Sequence, residues 1–178
     1  MRLIWDLEDA SCDWADDDTV RRAVSDAFDA VPKEHLRLLE AVTVFERDPR
    51  GRNLGVYLRD HRGNHIEVYL APHCADAGKA PARVRLAVLR LHVAHTLFHE
   101  VGHHMTLTVN KRMAPSRRRG EVEQTMEKWA ETYVVKRMQA YVAKQRTPDD
   151  DDPHAEAIAW LERTVTGQPA RPATAPTT

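Results

Sequence analysis

Residues 99–103 read His-Glu-Val-Gly-His, an H-E-x-x-H pattern inside an apolar-periodic stretch that runs from about Ala82 to Met105. On a helix, positions four apart share a face and sit about 6 Å apart along the axis. His99 and His103 therefore aim two imidazoles at one point. Glu100 lies about 100° round the helix from His99, within reach of a water at that point but not itself a ligand. Two neutral nitrogen donors and one adjacent carboxylate suit a single Zn²⁺ ion and a general base. Gly102 within the helix costs about 1 kcal/mol against alanine, which implies close approach by another element.

A catalytic zinc takes three protein ligands and leaves one position open. A second helix is expected from Glu121 to about Lys144, with Val122, Met126, Trp129, Ala130, Tyr133, Val134, Arg137 and Met138 as its packed stripe. Glu121, Glu123, Glu127 and Glu131 are candidates for the third ligand. Glu127 falls at the centre of that stripe, beside the small Ala130 that would let two helices come close. A carboxylate buried there needs a partner, and zinc would be one. Glu131, one turn on, can accept a hydrogen bond from the free nitrogen of a ligand histidine and set its tautomer.

The rest of the chain reads as scaffold. Leu3-Ile4-Trp5 is either a short strand or a helix start, and residues 1–17 are poorly defined. A helix is expected over Thr19–Ala30, buried through Val20, Ala23, Val24, Ala27, Phe28 and Val31, and a short one over Lys33–Glu40. A β-branched and aromatic strand at 42–46 and alternating strands at 54–59 and 66–70 make a small antiparallel sheet, followed by loop from Ala71 to Ala80. Pro81 opens the long helix. His61, His65 and His73 read as solvated turn residues. His92 and His95 fall on the metal-facing side as buried hydrogen-bonding or cleft-lining groups, and His104 faces substrate or solvent. A basic connection (Lys111, Arg112, Arg117, Arg118, Arg119) precedes the second long helix, and a short helix from Pro153 to about Val165 follows it.

The expected fold class is α+β: a small antiparallel β-sheet packed with an H-E-x-x-H helix and a second glutamate-bearing helix. One domain spans residues 1–166, and 167–178, rich in Pro, Ala and Thr, form a disordered tail. The formal net charge of -1 offers no electrostatic footprint for nucleic acid. No apolar run reaches the length of a membrane span, and the acidic N-terminus lacks a signal-peptide core. Cys12 and Cys74 do not make a disulfide framework, so free thiols and a cytoplasmic location are expected.

The run Glu127-Lys128-Trp129-Ala130-Glu131-Thr132-Tyr133-Val134 resembles the E-x-E-A-[ND]-x-F-A signature of the ImmA/IrrE-like metallopeptidases, which follows H-E-x-x-H by some two dozen residues. The resemblance extends over roughly residues 36–140. It departs at Trp129 (for Glu), Glu131 (for Asn or Asp), Tyr133 (for Phe) and Val134 (for Ala). It implies a zincin-like fold, one zinc held by His99, His103 and Glu127, Glu100 as the base, and Glu131 on a ligand histidine. It also implies an edge strand lining the cleft. The activity it implies is a zinc metallopeptidase acting on a protein or peptide, with regulatory proteins among the substrates that members of the family cleave. His104, Tyr69 and Tyr133 are candidates for an oxyanion donor. Two other readings stand beside this one: a catalytically silent metal-binding regulatory or interaction module using the same cleft, and an interaction protein without metal.

Overall fold

The structure is a computed structural model that describes residues 1–7, 12–51, 53–61, 63–108, 119–145 and 152–166, without the side chains of 119–123, 165 and 166. The tail, most of the basic connection and Asp149–Asp151 lie outside the described residues.

The fold is α+β, with strands β1 (Arg2–Asp6), β2 (Leu39–Phe45), β3 (Gly55–Asp60) and β4 (Gly63–Tyr69). Its helices are α1 (Asp17–Asp29), α2 (Leu70–Gly78), α3 (Arg85–Thr108), α4 (Arg119–Gln145) and α5 (Pro153–Thr166), with short 3-10 turns at Lys33–Leu36 and Ala82–Val84. None of the described helices is long and apolar enough to cross a membrane.

The sheet is mixed, in the order β1-β2-β4-β3. β2 runs parallel to both β1 and β4, and only β3 is antiparallel to its neighbour. The expected all-antiparallel sheet is therefore corrected. Alternation along 42–46 and 66–70 reports which faces are buried and not which strands are neighbours. The tight turn at Gly63, with φ of 108°, fixes β3 against β4. The longer connection after β2 lets that strand join the other side of β4. Leu3-Ile4-Trp5 supplies the fourth strand.

Other boundaries shift for local reasons. Asp16 caps α1 by accepting from the Thr19 backbone N–H at 2.8 Å, so the helix starts earlier than Thr19, with the expected Val20, Ala23, Val24 and Ala27 buried. The expected helix over 33–40 is a 3-10 turn, after which Leu38 takes a φ of 67° and Leu39 enters β2. Residues 71–80 hold a helix in place of the expected loop: Leu70, His73, Cys74 and Ala77 bury one face of α2 at helical spacing. His73 is thus buried, not solvated.

Cys12 and Cys74 are joined in a disulfide with Cα atoms 5.1 Å apart, which corrects the expectation of free thiols. Their separation of 62 residues carries no pairing signal, and packing brings the segment after β1 onto α2. Trp14 fastens the same junction by donating from Nε1 to the Cys74 carbonyl at 3.1 Å. The argument for a cytoplasmic location from free thiols no longer applies.

α3 is the central helix. It packs against α1, α2, α4, α5 and strands β3 and β4, and it buries Val88, Leu91, Ala94, Leu97, Phe98 and Val101. At Gly102 it meets α4: a Cβ there would stand 2.7 Å from Ala130 Cα and 3.2 Å from Ala130 Cβ.

Two stability predictions follow from these contacts. Gly102→Ala will lower stability, by about 1–3 kcal/mol in urea unfolding, because the clash outweighs the gain in helix propensity. Ala130→Gly will not rescue it, since the nearest obstructing atom is Cα. Denatured protein without reductant will show no titratable thiol, and Cys74→Ser will cost about 2–5 kcal/mol.

Candidate metal centre

α3 presents His99 and His103 one turn apart, with ring centroids 4.7 Å apart and the two Nε2 atoms 3.0 Å apart. Glu127 reaches them from α4. Its Oε2 lies 3.4 Å from His99 Nε2 and its Oε1 lies 3.4 Å from His103 Nε2. One donor atom from each of the three residues falls within a 4.8 Å cluster. Ligand bonds of 2.0–2.1 Å in tetrahedral geometry place neighbouring donors about 3.3 Å apart. The observed separations fit that spacing, and the donor set of two imidazoles and one carboxylate suits zinc.

Glu131 sits one turn beyond Glu127, with Oε1 3.5 Å from His99 Nδ1, on the ring nitrogen facing away from the cluster. Burial lowers the His103 pKa below its ordinary value, while the Glu127 charge opposes the shift. Burial thus favours the neutral imidazole that a metal ligand must present.

The environment of Glu127 differs from expectation. The side chain is 55% exposed. α4 buries Ala130, Val134 and Tyr141, and Glu127 reaches in from the flank of that stripe. Solvent access at this rim leaves room for water beside the cluster. Trp129, expected in the packed stripe, is 51% exposed. The side chains of Glu121 and Glu123 lie outside the described residues.

Glu100 is the buried carboxyl of the site, 7% exposed. Desolvation pushes its pKa up to about 7, against a hydrogen bond from the Tyr57 backbone N–H that holds it down. The strand above it comes close because residue 55 is glycine: a Cβ there would meet Thr96 Cγ2 at 2.6 Å and Glu100 Cγ at 3.3 Å. Edge strand β3 therefore lies directly over Glu100. Sequence reasoning missed Gly55 and Tyr57. The available signal was a glycine interrupting an alternating strand, which often marks close backbone approach.

No protein-family profile, curated protein or solved structure matches the chain. The reading of the site rests on its residues and geometry.

The three candidate oxyanion donors are engaged elsewhere. His104 is fully buried, in contrast to the expected exposure, and its Nε2–H donates to the Arg37 carbonyl at 2.9 Å. Tyr133 pairs with His35 Nδ1 at 2.7 Å, and the Tyr69 hydroxyl donates to Glu67. His92 and His95 line a pocket one to two turns before His99, in agreement with a cleft-lining role.

Elemental analysis of protein purified without chelator should find close to one zinc per chain, lost in His99→Ala and Glu127→Ala. Glu131→Ala should keep the metal with affinity reduced about 10–100-fold. Zinc retained by Glu127→Ala would exclude it as the third ligand.

Proposed function

We propose that the chain is a zinc-dependent metallopeptidase with a zincin-like arrangement, akin to the ImmA/IrrE-like enzymes it resembles. One observation carries this reading. His99, His103 and Glu127 converge from two helices at ligand-like spacing, next to a buried carboxyl beneath β3, the last strand of the sheet among the described residues.

A zinc ion held by His99, His103 and Glu127 would supply Lewis acidity towards a peptide carbonyl and make water more acidic. The chain's own groups do the remaining work. Glu100 accepts the proton of the attacking water at its carboxylate and returns it to the departing amine nitrogen. Glu100 is opposed in its ionised form by desolvation and supported by the Tyr57 backbone N–H, and a cation beside it would add to that support. Glu131 orients the His99 ring through Nδ1. Among the described residues β3 is an edge of the sheet, and outside the Tyr57 amide, which Glu100 holds, an extended peptide can pair along it with its scissile bond brought over α3. The Gly55 contact holds that edge close to Glu100.

A purely binding role accounts less well for Glu100. Keeping a carboxyl buried there costs desolvation energy that a docking surface has no need to bear.

Glu100→Gln should bind zinc as the wild type does and cleave unfolded protein at least about 100-fold more slowly. Chelator should abolish wild-type cleavage and zinc should restore it. Wild-type rates in Glu100→Gln would remove Glu100 as the base.

A further inference from the structure

β1 is one end strand of the sheet, and its residues read Arg-Leu-Ile-Trp-Asp. Among the described residues, no turn, loop or side-chain hydrogen bond reaches its backbone beyond the ladder with β2. An end strand of this kind presents N–H and C=O groups that a further strand can take up. At the other end of the sheet, β3 has its Tyr57 amide held by Glu100. β1 is therefore the end whose pairing groups are intact.

Side chains alternate along the strand. Leu3 and Trp5 are half-buried against the core, and the Arg21 guanidinium lies over the Trp5 ring at 4.8 Å. Arg2, Ile4 and Asp6 stand exposed on the opposite face, where Ile4 is 38% exposed. That face continues onto Ala41, Thr43 and Phe45 of β2, their partners in the ladder. Among the described residues neither Arg2 nor Asp6 has an ion-pair partner.

The order of these residues is complementary to itself. An antiparallel copy of β1 centred on Ile4 sets Arg2 opposite Asp6, Leu3 opposite Trp5, Ile4 opposite Ile4, and Asp6 opposite Arg2. Directly opposed residues have Cβ atoms about 4.5–5.5 Å apart, close enough for two reciprocal ion pairs and the apolar pairs between them. A parallel copy would oppose Arg2 to Arg2 and Asp6 to Asp6, and like charges facing each other are destabilising. An antiparallel copy shifted by two residues would set Ile4 against a charge. The pattern thus selects one orientation and one register. A two-fold axis at Ile4 joins two four-stranded sheets into one continuous sheet, through an isologous contact that closes on itself.

We propose that a second copy of this chain docks on the β1 edge, antiparallel and centred on Ile4, to form a two-fold dimer. The proposal does not rest on the metallopeptidase reading. The contact is small, in the class of weak and reversible interfaces. Salt weakens it, because the Arg2–Asp6 pairs lie on an exposed face.

The test is analytical ultracentrifugation of the full chain with a free N-terminus, over chain concentrations of about 1–500 µM at low salt. The wild type should pass from monomer to dimer within that range. Arg2→Asp alone and Asp6→Arg alone should each weaken dimerisation at least about tenfold. Mixing the two variants should restore the dimer, because each then supplies the charges that the other lacks. The double variant Arg2→Asp/Asp6→Arg should dimerise by itself. Recovery of this kind separates docking from a mere loss of strand stability, and thermal melting of each variant checks that it is folded. Zinc content should be the same in all of them. A wild type that stays monomeric throughout, as an edge reserved for a different protein would leave it, overturns the proposal. So does a dimer that both single variants leave unchanged, since it forms elsewhere. A loss that neither mixing nor the double variant repairs overturns it as well.

Discussion

The contact between Gly102 and Ala130 governs the geometry of the candidate centre. Packed helices normally sit 8–10 Å apart, depending on the side chains between them. Here one helix contributes no side chain and the other only a methyl group. A glutamate side chain is short, and Glu127 reaches both imidazoles because the two backbones meet nearly in contact. Farther along, Phe98 and Tyr141 pack edge to face with centroids 5.9 Å apart and hold the same two helices in register. The His99–His103–Glu127 cluster is thus a product of core packing, and its spacing is inherited from buried residues outside it.

The second constraint is electrostatic. Glu100 is shielded by a strand that can come close only where it lacks a side chain. Burial disfavours the carboxylate, and one backbone N–H favours it. These two opposing influences act on the one carboxyl that lies next to the cluster without belonging to it. His104, the next residue after His103, points away from the cluster and serves the fold. Its hydrogen bond to the Arg37 carbonyl ties α3 to the turn that leads into β2, where Leu38 adopts its left-handed backbone conformation.

Much of the centre could be read in the chain because helical spacing converts directly into proximity. His99, Glu100 and His103 needed only one helix, and Glu127 and Glu131 only a second one facing it, with Gly102 and Ala130 marking where the two touch. What could not be read depended on distant partners. β-branched content identified β2 and alternation identified β3 and β4, but neither gives the neighbour order, which is decided by connections. α2 escaped notice because His73 and Cys74 occupy its buried face, where periodicity seeks aliphatic residues. The pairing of Cys12 with Cys74 is a tertiary event without a local signature. Trp129 was assigned to the packed stripe by its spacing from Met126 and Tyr133, whereas the buried face of α4 is centred on Ala130, Val134 and Tyr141 and leaves it outside. Glu127 was placed in the interior because its stripe is buried, but it stands at the margin of that stripe.

The position of Glu100 also bears on how the sheet guards its border. An edge strand leaves unpaired amides that can recruit any extended chain, including a neighbouring copy of the same protein. β3 is such an edge, yet the Tyr57 amide is already committed to Glu100. One rung of the ladder is therefore missing in the middle of a six-residue strand. A chain arriving by backbone pairing alone finds an interrupted template, which weakens indiscriminate strand addition. The hydrogen bond that holds the Glu100 carboxyl thus also interrupts the edge and weakens its pull on a second copy of the chain.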